Sequence, residues 1–239
     1  MKFLATMILP CLAGASVMGI YTGGLGGAKR DSLAAAAGGT CDCKGATAAA
    51  AATDSLCGDA RLGPKTLPTK LPLAGFMASY SRLGGENNTV EKFLAEWIKP
   101  EGGYRYPPQN GFMLDVNGNA INGTMELPVG TLIDRFGSER GSYVTAASAP
   151  FSQRSLPPSS LATDPRNPDF PYSYHLYQVV RPFNVTGGPI APWFGQPGLG
   201  AQFWTGLTGR IVDLITNGYI ERQDPYTLVA LSEGPCTQA

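Results

Sequence analysis

The residues of this chain with chemical potential are arginines in turn-rich contexts, a few aromatics and one glutamine set among glycines. A guanidinium binds phosphate oxygens bidentately at less hydration cost than an ammonium, and a primary amide donates and accepts at once. The usual hydrolytic nucleophiles are missing. There is no GxSxG elbow, His175 is the single histidine, and no cysteine is left over after pairing, which argues against a Ser-His-Asp or Cys-His enzyme. By type alone, Arg135 and Arg154 read as solvated turn residues, Tyr143 as a core strand tyrosine, His175 as a half-buried strand side chain and Gln202 as a loop glutamine facing water.

These residues need a scaffold, and the pattern predicts a mixed α+β one. Val90, Phe93, Leu94 and Trp97 recur at i, i+3, i+4 and i+7, one face of a helix capped by Asn88 or Thr89 and stopped by Pro100. From Tyr106 onward short strand-like runs alternate with Gly/Pro/Asn turns. Leu132-Ile133, Tyr143-Val144-Thr145 and a half-buried, alternating Tyr174 to Val180 predict an antiparallel sheet, with tight turns at Asn117-Gly118 and Asn122-Gly123. Ile211, Val212, Leu214 and Ile215 predict a C-terminal helix ended by Asn217-Gly218. No GxGxxG, P-loop or internal repeat supports a parallel nucleotide-binding sheet. The expected organisation is a signal peptide over 1–20, a Gly/Ala-rich low-complexity or pro-region over 21–65, a small helical subdomain over 66–107 and the catalytic body over 108–239.

The basic, then apolar start followed by Ala13, Gly14 and Ala15 reads as a secretory signal too short to span a bilayer, and Lys29-Arg30 offers a second processing site. In an oxidising compartment Cys41, Cys43, Cys57 and Cys236 are expected to pair. A Cys41–Cys43 bridge would be strained, so one of the two pairs with Cys57 and the other with Cys236. Sequons at Asn87, Asn122 and Asn184 agree with secretion and predict surface positions. The 18 basic residues balance 18 acidic ones without a run of either sign, so nucleic acid and anionic membranes are disfavoured partners. No metal site is expected. Calcium is left open but not placed, because Asp213, Glu221 and Asp224 lack EF-hand spacing.

Six segments occur in order: LPVGTLIDRFG at 127–137, GSY at 141–143, QRSLPP at 153–158, YHLY at 174–177, GPIAPWFGQPG at 188–198 and GAQF at 200–203. The set resembles the tuberculosis necrotizing toxin domain, a family of NAD glycohydrolases found as bacterial toxins and on fungal surfaces, over roughly Pro108 to Gln223. The resemblance implies a compact antiparallel core and makes NAD, with NADP as an alternative, the substrate rather than a cofactor. It further implies that Arg135 and Arg154 are the functional arginines at the pyrophosphate, that Tyr143 lies against the nicotinamide, and that Gln202 acts at the ribose. Phe136 and His175 are implied in substrate binding, and Gly198 and Gly200 would bring backbone close to the ligand. A homodimer is left open.

Nicotinamide leaves as a neutral base from a cationic ring, so the bond needs no general acid. The enzyme must hold the pyrophosphate, twist the ribose towards an oxocarbenium-like state and admit water. Two other readings compete: transfer of ADP-ribose to a protein, against which the absence of a glutamate-x-glutamate pair argues mildly, and a non-enzymatic cell-surface module.

Overall fold

In a computed structural model, residues 42–85 and 87–232 are described; the expected signal, Lys29-Arg30, Cys41 and Cys236 lie outside them. Seven strands form one wholly antiparallel sheet: β1 Gly123–Leu127, β2 Leu132–Phe136, β3 Tyr143–Ala146, β4 Tyr174–Val179, β5 Phe183–Pro189, β6 Ala201–Trp204 and β7 Ile220–Gln223, in the order β1-β5-β6-β3-β2-β4-β7. Helices α1 Leu73–Phe76, α2 Val90–Trp97, α3 Ile211–Thr216 and α4 Thr227–Ser232 complete the α+β fold.

The expected elements form for identifiable reasons. At α2 the Thr89 hydroxyl accepts from the Lys92 amide, and Val90, Phe93 and Leu94 are buried. They pack with Leu62, Ile98 and Phe194 in one core cluster. On one face of the sheet, Ile133, Val144, Tyr177, Val179 and Val185 pack against Ile211 and Leu214 of α3. On the other, Phe136, Tyr174 and Leu176 meet Phe76, Phe151 and Leu161. Strand β4 therefore differs from expectation: it is buried on nearly every residue rather than on alternate ones, because both of its faces are covered. Asn122-Gly123 also departs, leading into β1 instead of turning. The Asn117-Gly118 turn forms, held by Asp115, whose Oδ1 accepts the amides of Asn117 and Asn119.

Of the low-complexity region, Ala48 to Ala52 adopts turns. A Cys43–Cys57 disulfide closes this segment, and the buried Asp59 accepts from the Thr47 amide and the Arg61 guanidinium. Asn87, Asn122 and Asn184 are all exposed. Among the described residues no helix is long and apolar enough to cross a membrane.

Candidate active site

Strand register builds the floor of a cleft. Asp134 on β2 faces Thr145 on β3, Thr145 faces Gln202 on β6, and Gln202 faces Gly188 on β5. Four residues thus share one row across adjacent strands, and at ~4.8 Å per strand Asp134 and Gln202 stand roughly 10 Å apart. The absence of a side chain at Gly188 is needed: a Cβ there would lie 2.3 Å from the Ile121 carbonyl oxygen, so glycine lets the 112–122 loop close over the sheet edge. Above the row lies a cleft of about 470 Å³ lined by Arg135, Phe136, Tyr143, Arg154 and Gln202, with Tyr106, Pro107, Asn110 and Gly111 as its other wall.

Arg154 is held from all sides. It ends a 3-10 turn over Phe151–Arg154 and is 3% exposed. All five N–H groups of the fork are occupied: Nη1 donates to Asp134 Oδ1 at 2.5 Å and to Thr145 Oγ1, Nη2 to Asp134 Oδ2 at 2.8 Å and to the Ala149 carbonyl at 2.8 Å, and Nε to the same carbonyl at 3.1 Å. Its carbon lies 5.1 Å from the Phe136 ring centre and 5.7 Å from that of Phe76. The next residue, Ser155, has φ 47°, a left-handed conformation uncommon outside glycine, and its hydroxyl donates to Ala191 O.

Asp134 is the partner that the sequence reading passed over. It is fully buried, accepts from the Tyr174 hydroxyl at 2.9 Å and from Thr145 Oγ1 at 2.6 Å, and pairs with Arg154. Burial and the neighbouring carboxylate push the Tyr174 phenol well above its ordinary value, so it stays a donor. The available signal was strand phase: Asp134 stands two residues from Phe136 and so shares its inward face.

Arg135 is differently placed. Nε donates to Ser138 O at 2.8 Å and Nη1 to Tyr143 O at 2.6 Å, while Nη2 makes no hydrogen bond among the described residues. Burial lowers its pKa, which marks a guanidinium short of solvent. Gln202 is half-buried on a strand rather than in a loop, and its Nε2 donates to Asn110 O at 3.0 Å, tying the outer wall to the sheet. Tyr143 is half-buried and its phenol is raised by burial. Phe136 reaches the cleft floor but its ring belongs to the core, 4.9 Å from Tyr174 and 5.0 Å from Phe151. Gly200 does not lie open to a ligand; a Cβ there would meet Gln153 O at 2.6 Å, so it packs the loop against the turn carrying Arg154.

His175 is not brought to this cleft. It pairs with Arg135 across β2 and β4, one residue out of phase with Asp134, and lines a separate cavity of about 520 Å³. Its ring lies 4.3 Å from Phe170, and Nδ1 is 3.6 Å from Glu139 Oε1. Burial pushes the imidazole below its ordinary value against the pull of Glu139. Burial works to raise Glu139 too, but hydrogen bonds from Arg222 and Tyr177 outweigh it and hold the carboxyl low. The unfolded imidazole takes up a proton near pH 6.5, whereas the folded one does so only lower. The stability that neutral His175 contributes is therefore complete above that pH and declines as pH falls. Denaturation midpoints should drop on acidification from about pH 7.5 to 5.5, with a shallower slope in His175→Gln; equal slopes would refute this.

Among the described residues no three His, Cys, Asp or Glu side chains cluster as metal ligands. Asp213, one of the late acids, is bonded to Arg210.

Comparison with known proteins bears on the same residues. The family model described as tuberculosis necrotizing toxin matches residues 126–223. A curated protein of Aspergillus fumigatus, described as conidial surface nicotinamide adenine dinucleotide glycohydrolase nadA, is 47% identical over 172 residues, 71% of each chain. Among solved structures, tuberculosis necrotizing toxin complexed with its immunity factor is similar at TM-score 0.43 and 23% identity, covering 57% of this chain and 72% of that one. Rhs1-CT in complex with its cognate immunity protein follows at TM-score 0.31 and 12% identity, covering 49% and 83%.

Proposed function

The chain belongs to the tuberculosis necrotizing toxin family, and from that membership we propose that it is an NAD glycohydrolase acting at the cell surface or outside it, splitting NAD into nicotinamide and ADP-ribose. The observation that carries the reading is the single cleft in which Arg135, Tyr143, Arg154 and Gln202 meet from separate segments. The fungal relative, described as a surface NAD glycohydrolase, supports both the activity and the location. Secretion with glycans at Asn87, Asn122 and Asn184 is part of the same reading and rests on their exposure.

In this proposal the roles divide. Tyr143 offers its π face to the cationic nicotinamide ring. Gln202, with one amide hydrogen and its carbonyl oxygen left over from the bond to Asn110, contacts the ribose hydroxyls as C1 becomes electron-poor. Arg135, with Nη2 available, holds a pyrophosphate oxygen. Arg154 is a positioning residue, since a phosphate would have to displace Asp134 or Thr145 to reach its donors. The Asp134 carboxylate is neutralised by Arg154, so the row beneath the ribose carries no net charge.

Protein purified from the medium of a secreting host should lose mass on deglycosylation and release nicotinamide and free ADP-ribose from NAD in equal amounts. No nicotinamide would refute the activity. Nicotinamide release with ADP-ribose fixed on protein would make the enzyme a transferase, and faster cleavage of NADP would change the preferred nucleotide.

A further inference from the structure

We propose that Tyr106 is the stacking platform for the adenine ring, so that the wall formed by residues 106–111 is the adenine subsite of the cleft; this rests on reading the cleft as the NAD site. NAD carries an aromatic ring at each end of its pyrophosphate. With Tyr143 at the nicotinamide, a second aromatic surface in the same cleft is needed for the other end. Three aromatic residues line the cleft: Tyr106, Phe136 and Tyr143. Phe136 is 4% exposed, its ring enclosed by Phe76, Phe151 and Tyr174, and has no face to offer.

Tyr106 is the opposite case, a large ring 62% exposed yet fixed in place. It makes edge-to-face contacts with Tyr104 at 6.0 Å and with the buried Phe194 at 5.9 Å. The residue before it is anchored by the Trp193 indole, which donates to Arg105 O at 2.6 Å, and the wall is tied to β6 by Gln202 and Asn110. A ring ordered by the protein and open to solvent loses little further freedom when a base stacks on it. Tyr106 also lies outside the residues matched by the family model, whereas Tyr143, Arg135 and Gln202 lie within them. The platform therefore belongs to the segment this chain places against the shared site.

The test uses competitive inhibition of NAD cleavage by two halves of the substrate, adenosine 5′-monophosphate and nicotinamide mononucleotide, in wild type, Tyr106→Ala and Tyr106→Phe. In Tyr106→Ala the inhibition constant for the adenosine monophosphate should rise about tenfold, or ~1.4 kcal/mol, and the KM for NAD should rise with it. Inhibition by nicotinamide mononucleotide should shift by less than about twofold, and Tyr106→Phe, which keeps the ring, should stay close to wild type on both. Equal weakening of both inhibitors would mean a merely structural wall and would overturn the proposal. So would an unchanged adenosine monophosphate constant, or wild type indifferent to it. If wild type releases no nicotinamide, the underlying reading fails instead, and calorimetric titration of adenosine monophosphate into wild type and Tyr106→Ala still decides whether the subsite exists.

Discussion

Replacing Asp134 with alanine is expected to destabilise the fold by about 3–5 kcal/mol, because it strands the buried Arg154 guanidinium without its counter-ion. The loss is compounded. Thr145 and the buried Tyr174 hydroxyl lose their acceptor as well. For a chain of this size the thermal midpoint should fall by roughly 6–20 °C. Arg154→Ala should be comparably damaging from the other side, leaving a buried carboxylate unpaired. Asp134→Asn keeps the shape but not the charge and should fall between wild type and Asp134→Ala. A double variant Asp134→Leu with Arg154→Met should recover part of the loss, since the buried pair owes much of its apparent strength to the cost of breaking it. Denaturant titrations of the four proteins measure all of this. A loss below about 1 kcal/mol in Asp134→Ala would show that the pair is open to solvent.

Gln202→Ala is expected to leave the protein folded and to slow NAD cleavage by roughly thirty- to a thousandfold, ~2–4 kcal/mol, chiefly in kcat. The stability cost is small because the lost partner, the Asn110 carbonyl, belongs to an exposed residue that water can satisfy. The effect on rate follows from position: the amide sits in the cleft on the same row as Thr145 and Asp134, fixed by strand pairing rather than by a mobile loop. An interaction that strengthens as the ribose becomes cationic lowers kcat when removed, whereas uniform binding would raise KM. Steady-state kinetics on a variant with unaltered circular dichroism separates these outcomes. Activity within about threefold of wild type would move the ribose contact to another residue.

The two predictions differ because Arg154 and Gln202, equal as members of an ordered motif set, have different surroundings. Nothing local in QRSLPP says that all five donors of Arg154 will be taken, since Asp134 lies twenty residues away and Thr145 nine. His175 fails to join the cleft for a related reason. Across the β2–β4 pair it stands opposite Arg135 and one residue out of phase with Asp134, Thr145 and Gln202, and that phase exists only once the register is set. Tyr106 and Asn110 had no signal at all, being ordinary loop residues until Gly188 and Trp193 let their segment lie against the site.

What the chain settled by itself were features whose physics is local or whose motifs are long. The α2 helix follows from four apolar residues at helical spacing with Thr89 as cap. The α+β class follows from short strand-like runs between turn residues, and the family follows from six motifs in order. Tertiary structure alone decided which side chains keep donors for a ligand, which aromatic rings keep a face, and which residues share one side of the sheet. Those properties depend on what a distant segment places within about 3 Å, and hydrogen-bond saturation at that range is set by register and packing, not by residue type.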